Sequence, residues 1–154
     1  MTTITGRVVP GDQRGRTLGF PTANISITGR EDLDGVWAGT VRLPSGAAYP
    51  AAVSIGRRQT FYSGSAEPLL EAHVIGYTGD LYGLELRVDL DAFLREQLPF
   101  RNVQDLIDQM HRDVAHTLVA RESWETCGGL GRADAAVSVG GRAAVAAAVA
   151  DTPR

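Results

Sequence analysis

Leu84-Glu85-Leu86-Arg87-Val88-Asp89-Leu90 is the stretch that decides the fold class. Leucine and valine alternate there with Glu85, Arg87 and Asp89, which gives one apolar face and one wet face at the period of a β-strand. Five more short segments of β-type composition lie upstream: Ile4–Val9, Thr22–Ile27, Val36–Leu43, Ala48–Ile55 and Leu69–Ile75. Gly, Pro and Asp separate them, without the helical periods that βαβ units would require. Six such strands in an open sheet would leave unpaired edges. The predicted fold is therefore all-β, a small six-stranded barrel closed on itself.

Past Pro99 the period changes. Val103, Leu106, Ile107, Met110, Val114 and Leu118 recur at helical spacing, which predicts one helix over about 103–122 with its apolar stripe packed on the barrel. Asn102 is placed to cap this helix, and Asp105 puts a negative charge in its first turn, where the helix dipole favours it. The expected domain is thus 1–125. Residues 126–154 are rich in Ala and Gly and poor in large apolar side chains, so they read as a mobile tail, with helix propensity over 142–150.

The chain has 154 residues, of which 44% are hydrophobic and 21% charged, enough for one ordinary domain and too apolar for a disordered chain. Its formal net charge is −3, and its 15 basic residues are scattered. That pattern excludes a nucleic-acid or membrane-surface footprint. Cys127 is the single cysteine, so no intramolecular disulfide forms, and no Cys/His pair has zinc-site spacing. The first residues, Met1-Thr2-Thr3-Ile4-Thr5-Gly6, lack the basic start and apolar core of a signal peptide, and no apolar run approaches a membrane span. A cytoplasmic location is expected.

Three places carry candidate chemistry. Between the first two strands, Gly11, Gly15 and Gly19 are interleaved with Arg14 and Arg16. Glycines let backbone N–H groups approach an anion, and arginine supplies a fork matched to phosphate oxygens. The same composition also suits a flexible hairpin loop with solvated charges. Next comes Pro21-Thr22-Ala23-Asn24, where Thr22 and Asn24 point to one side of an extended segment and offer two oxygens to one hard cation. Here the competing reading is a turn in which Asn24 bonds its own backbone. The third is Leu69-Leu70-Glu71-Ala72-His73-Val74-Ile75, which puts Glu71 and His73 opposite Leu70, Ala72 and Val74. Glu71 at a barrel mouth is a candidate general base, and equally an ordinary solvated carboxylate. His73, His111 and His116 receive no role.

Together with Gly35-Val36-Trp37-Ala38-Gly39, Ser54-Ile55-Gly56, Thr60-Phe61, Gly79-Asp80-Leu81-Tyr82-Gly83 and Phe93-Leu94-Arg95-Glu96, these segments resemble, in order and spacing, the riboflavin kinase family of bacteria and eukaryotes. The likeness covers about residues 4–122 and is to the C-terminal kinase domain of bifunctional riboflavin kinase/FAD synthetases. It implies a Greek-key barrel with a C-terminal helix that transfers the γ-phosphoryl of ATP to the ribityl 5′-hydroxyl of riboflavin, giving FMN and ADP. By similarity, Thr22 and Asn24 match the ligands of Mg²⁺, with Zn²⁺ or Mn²⁺ as alternatives, and Glu71 matches the base beside the flavin. Gly11, Arg14, Gly15, Arg16, Gly19, Pro21 and Thr22 match the flap and phosphate contacts of ATP, and Arg95 matches a flavin-side position.

The chain departs from the family pattern at Arg57-Arg58-Gln59, where the family usually carries a proline-containing loop; Arg57 or Arg58 is expected to reach a nucleotide or FMN phosphate, with two solvated arginines on a loop as the equal alternative. The length leaves no space for an adenylylating module, so the reaction is expected to stop at FMN, in a monomer. Two other classes stand beside the enzyme. One is a flavin- or nucleotide-binding regulatory or carrier module on the same barrel, and the other is an adaptor that uses its Ala-rich tail. Only catalysis gives Thr22, Asn24 and Glu71 a joint purpose.

Overall fold

The structure, a computed structural model, describes residues 1–11, 14–58 and 67–126. Six antiparallel strands run over β1 (Thr2–Val9), β2 (Ala23–Ser26), β3 (Gly35–Arg42), β4 (Ala48–Arg58), β5 (Glu67–Val74) and β6 (Glu85–Arg95). A one-turn helix, α1 (Arg14–Thr17), lies between β1 and β2, and a long helix, α2 (Val103–Thr126), follows β6. The strands close into a barrel in the order β1-β2-β5-β4-β3-β6. Within it, β6-β3-β4-β5 is the Greek-key arrangement of a three-strand meander whose fourth strand returns beside the first. Among the described residues no helix is long and apolar enough to cross a membrane. The tail expected beyond Thr126 lies outside the described residues.

Strand alternation builds the interior. Ile25, Val53, Ile55, Leu70, Leu86 and Val88 are fully or almost fully buried and form one cluster inside the closed sheet. Leu86, Val88 and Leu90 point inward as their spacing predicts, but Asp89 does not face water. It is 2% exposed and accepts hydrogen bonds from Thr3 Oγ1 (2.7 Å), Arg87 Nε (3.1 Å) and Arg42 Nε (3.3 Å). Three donors compensate the loss of water around its charge.

Two elements outrun their sequence signals the furthest. β6 continues past Leu90 to Arg95, because its register against β3 shifts twice: Gly39 opposes Leu90, Ala38 opposes Ala92, Trp37 opposes Phe93 and Val36 opposes Arg95. Asp91 and Leu94 are the extra residues, and these bulges destroy the two-residue alternation by which a strand is recognised. α2 extends to Thr126. Its start is capped as expected, with Asn102 Oδ1 accepting from the N–H of Asp105 at 2.9 Å. Val103, however, is exposed, and the covered stripe begins at the half-buried Leu106.

α2 packs on the outer surface of β3, β4 and the end of β6. Val36 and Ala38 point out of the barrel there and are nevertheless buried, as is Val114 on the helix. A second apolar layer therefore lies between the barrel wall and α2, and the candidate site opens beside it.

Candidate active site

The register of the barrel lines up one rung of residues across five strands. Asn24 on β2 opposes Glu71 on β5, Glu71 opposes Ser54 on β4, Ser54 opposes Val36 on β3, and Val36 opposes Arg95 on β6. Directly opposed residues share a face of the sheet with their Cβ atoms about 5 Å apart. All five line one cavity of about 300 Å³ under α2, whose far wall is made by Phe20, Phe100, Leu106 and Met110. The expected position at a barrel mouth is therefore corrected. The interior is filled by side chains, and Glu71 stands on the outer wall, where the helix gives it cover.

A second cavity, of about 470 Å³, lies on the other side of β2, bounded by Arg16, Pro21 and the turn from Tyr77 to Tyr82. Thr22 and Asn24 line both cavities. Their expected common side is thus the partition between two spaces, one walled by Phe20, Phe100, Leu106 and Met110 with Arg95 at its edge, and one walled by Tyr77, Leu81 and Tyr82 with Arg16 at its edge.

Asn24 is not a turn residue bonding its own backbone. It is a strand residue, 5% exposed, and its side-chain Oδ1 has no hydrogen-bond partner among the described residues. A buried acceptor left without a donor costs about 1–3 kcal/mol, unless something outside the protein satisfies it. Gly11 lies directly over this carboxamide, and a Cβ there would land on it. A hard cation fits this donor set, because Mg²⁺ takes one or two protein oxygens and completes its shell with phosphates and water. No group of three or more His, Cys, Asp or Glu that could hold a metal by itself occurs among the described residues.

The loop before β2 is not an open hairpin. α1 is closed by N–H donations from Leu18 to the Gly15 carbonyl (3.1 Å), Gly19 to that of Arg16 (3.2 Å) and Phe20 to that of Gly15 (2.7 Å). Gly19 takes φ 87°, the left-handed conformation that ends a helical turn, and it borders neither cavity. Gly15 lines the cavity under α2, and a Cβ on it would strike the Phe20 carbonyl. Arg14 opens α1.

His73, to which the sequence assigned no role, lines the cavity under α2 and has its Nδ1 2.9 Å from the Pro21 carbonyl. Burial pushes its pKa down, against a smaller upward pull from that hydrogen bond. A carbonyl only accepts, so the neutral ring carries its proton on Nδ1. The ring stands edge-on to Phe20, which in turn stands edge-on to His111 of α2, with centroids 5.3 and 4.9 Å apart.

Arg95 lines the cavity as its flavin-side expectation requires, but its guanidinium is occupied. Nε and Nη2 donate to both carboxylate oxygens of Asp113 at 2.9 and 2.7 Å, and Nη1 donates to the Glu96 carbonyl at 2.9 Å. Arg57 pairs with Glu31 on the surface and borders neither cavity. Arg58 ends β4, and Gln59 to Ala66 lie outside the described residues. Sequence reasoning missed Ser54 and Gln97, whose Nε2 donates to Ser54 Oγ (2.8 Å) and to the Ile55 carbonyl (3.0 Å). Strand register would have found Ser54, whereas no local signal marks Gln97.

Comparison with known proteins agrees with this fold. The family model for riboflavin kinase, Flavokinase, matches residues 1–120. The bifunctional riboflavin kinase/FMN adenylyltransferase of Haemophilus influenzae is 36% identical over 112 residues, 72% of this chain and 36% of that protein. Its counterpart in Escherichia coli K12 is 37% identical over 120 residues, 77% of this chain and 37% of that one. The chain therefore spans little more than a third of the length of these relatives. Among solved structures, one from Streptococcus pneumoniae described as a macrolide-efflux protein superposes with TM-score 0.66 at 32% identity, over 75% of this chain and 38% of that one. The riboflavin kinase of Trypanosoma brucei superposes with TM-score 0.52 at 22% identity, over 99% and 90% of the two chains, a likeness of fold. With a family match over most of its length, the chain belongs to the riboflavin kinase (flavokinase) family.

Proposed function

We propose that this chain transfers the γ-phosphoryl group of ATP to the ribityl 5′-hydroxyl of riboflavin, releasing FMN and ADP. The observation that carries this reading is the partition: Thr22 and Asn24 face both cavities, and Glu71 lies directly across the ladder from Asn24. A bisubstrate reaction without a covalent enzyme intermediate needs two adjoining spaces that meet at the transferred group, and this wall supplies them.

The residues divide the work. The cavity under α2 takes the flavin ring against Phe100, Leu106 and Met110 and directs the ribityl chain toward Glu71. Arg16, Pro21 and the Tyr77–Tyr82 turn border the space for the nucleotide, whose phosphates approach Thr22 past the α1 turn. The carboxylate of Glu71 accepts the proton of the 5′-hydroxyl as its oxygen forms a bond to the γ-phosphorus and the bond to the β-bridging oxygen breaks, leaving ADP. Such a base contributes about 10²–10⁴-fold. Phosphoryl transfer otherwise depends on alignment and charge neutralisation. Thr22 Oγ1 and Asn24 Oδ1 would hold the Mg²⁺, which when bound neutralises charge on the phosphates.

Purified chain incubated with riboflavin, ATP and Mg²⁺, with flavins separated by chromatography, is expected to accumulate FMN. Flavin and nucleotide binding without FMN formation would establish the carrier reading instead, and neither binding nor turnover would overturn both.

A further inference from the structure

We propose that His73 is a positioning residue that fixes the Pro21–Asn24 segment through its Nδ1–H, so that Thr22 and Asn24 are held ready for the nucleotide phosphates and their cation. The inference rests on the kinase reading and deepens it.

Three observations converge. First, Pro21 has no N–H of its own, and it lies between the end of the α1 turn and the first residue of β2, so no strand ladder fixes its carbonyl. The His73 Nδ1 lies 2.9 Å from that carbonyl, a contact between residues 52 apart in sequence. Second, the donor is itself rigid. The ring projects from β5, edge-on to Phe20, and Phe20 is 6% exposed and wedged between His73 and His111. Third, the alternative use of this histidine is a poor one: Glu71, two residues away on the same face, is already aligned with Asn24 and Ser54, whereas His73 is paired with Ala52. Its single described polar contact is to the segment bearing the two oxygen donors. A shift of that segment by a fraction of an ångström moves both donors together, and misplacement on the scale of 1 Å costs phosphoryl-transfer sites on the order of 10²-fold.

Two substitutions separate hydrogen bonding from ring packing. His73→Asn keeps an N–H near the position of Nδ1 and discards the ring, while His73→Phe keeps the ring against Phe20 and discards the donor. Steady-state kinetics with each substrate varied would be read beside calorimetric binding of ADP with Mg²⁺. The expected result for His73→Phe is ADP–Mg²⁺ binding weakened about tenfold, a matching rise in KM for ATP, and a KM for riboflavin within about twofold of the parent, the size set by one lost hydrogen bond. His73→Asn is expected to bind ADP–Mg²⁺ within about threefold of the parent. The reverse order, with Asn worse than Phe, would make His73 a packing residue and overturn the proposal. An effect confined to riboflavin would make it a flavin contact and likewise overturn it. Nitrogen-15 NMR of the unsubstituted chain supplies a test independent of folding in the variants: a protonated Nδ1 with a bare Nε2 supports the proposal, and the opposite tautomer refutes it. A parent chain that binds ADP–Mg²⁺ but makes no FMN would sink the kinase reading while leaving this order of affinities to be measured.

Discussion

Replacing Asp113 with Asn tests what Arg95 is for. Asp113 accepts three hydrogen bonds, from Arg95 Nε (2.9 Å), Arg95 Nη2 (2.7 Å) and Gln109 Nε2 (2.9 Å), and the paired side chains are 18% and 7% exposed. Asparagine keeps one acceptor and turns the other into an NH₂ that faces a guanidinium N–H, so one bond is lost and the arginine charge loses its counter-charge. Removing one partner of a buried ion pair costs about 3–5 kcal/mol. Arg95 keeps its bond to the Glu96 carbonyl and some contact with water, so the lower end, about 3 kcal/mol, is expected. For a domain of this size that corresponds to a fall in Tm of about 10 °C. Because the pair ties the last residue of β6 to the middle of α2, the helix that roofs the 300 Å³ cavity should loosen as well.

Urea denaturation of the parent, Arg95→Ala, Asp113→Asn and the double variant closes a thermodynamic cycle, with an expected coupling of about 2 kcal/mol between residues in direct contact. Strictly additive single effects, with riboflavin affinity lost in Arg95→Ala and kept in Asp113→Asn, would refute the clamp and return Arg95 to the role of a flavin ligand.

Glu71→Gln is expected to lower kcat by about 10²–10⁴ with riboflavin affinity within a few-fold of the parent, measured by FMN formation and by flavin fluorescence, and unchanged turnover would remove it from the mechanism. Asn24→Ala or Thr22→Ala should raise the Mg²⁺ concentration at half-maximal rate about tenfold in a metal titration, the loss of one ligand oxygen being on the scale of a charged hydrogen bond. Gly11→Ala drives a methyl group into the Asn24 carboxamide, so the same titration should detect it while thermal unfolding changes little. At Asp89, burial acts to raise the pKa, but hydrogen bonds from Thr3, Arg87 and Arg42 outweigh it and hold the carboxyl below its ordinary 3.8. The folded form therefore binds its proton more weakly than the unfolded form. The stabilisation is complete above about pH 4 and is lost as pH falls through the folded value. Asp89→Asn should accordingly cost about 2 kcal/mol at pH 7 in urea titrations, with the difference from the parent shrinking in acid.

The six strands and the helix were legible because each signal was local: Leu86, Val88 and Leu90 alternate, Leu106, Met110 and Val114 recur at helical spacing, and Asn102 caps as its side chain allows. The end of β6 was not legible, because the bulges at Asp91 and Leu94 remove the period that would announce a strand. Thr22, Asn24 and Glu71 stood out by residue type and by resemblance, and the structure brings them together. What the chain did not disclose were relations between elements: the burial of Asn24, the closure of Arg95 on a carboxylate 18 residues away, and the contact from His73 to Pro21 across 52 residues. Each depends on where two strands or a strand and a helix meet, and no window of sequence contains both parties.

The rung from Asn24 through Glu71, Ser54 and Val36 to Arg95 takes one member from each of five strands. Four separate pairings must be correct before it exists, and a slip of one residue in any of them turns that strand's member inward. A half-zipped chain thus possesses every side chain of the rung without their alignment, so the candidate site exists only where all four pairings hold at once.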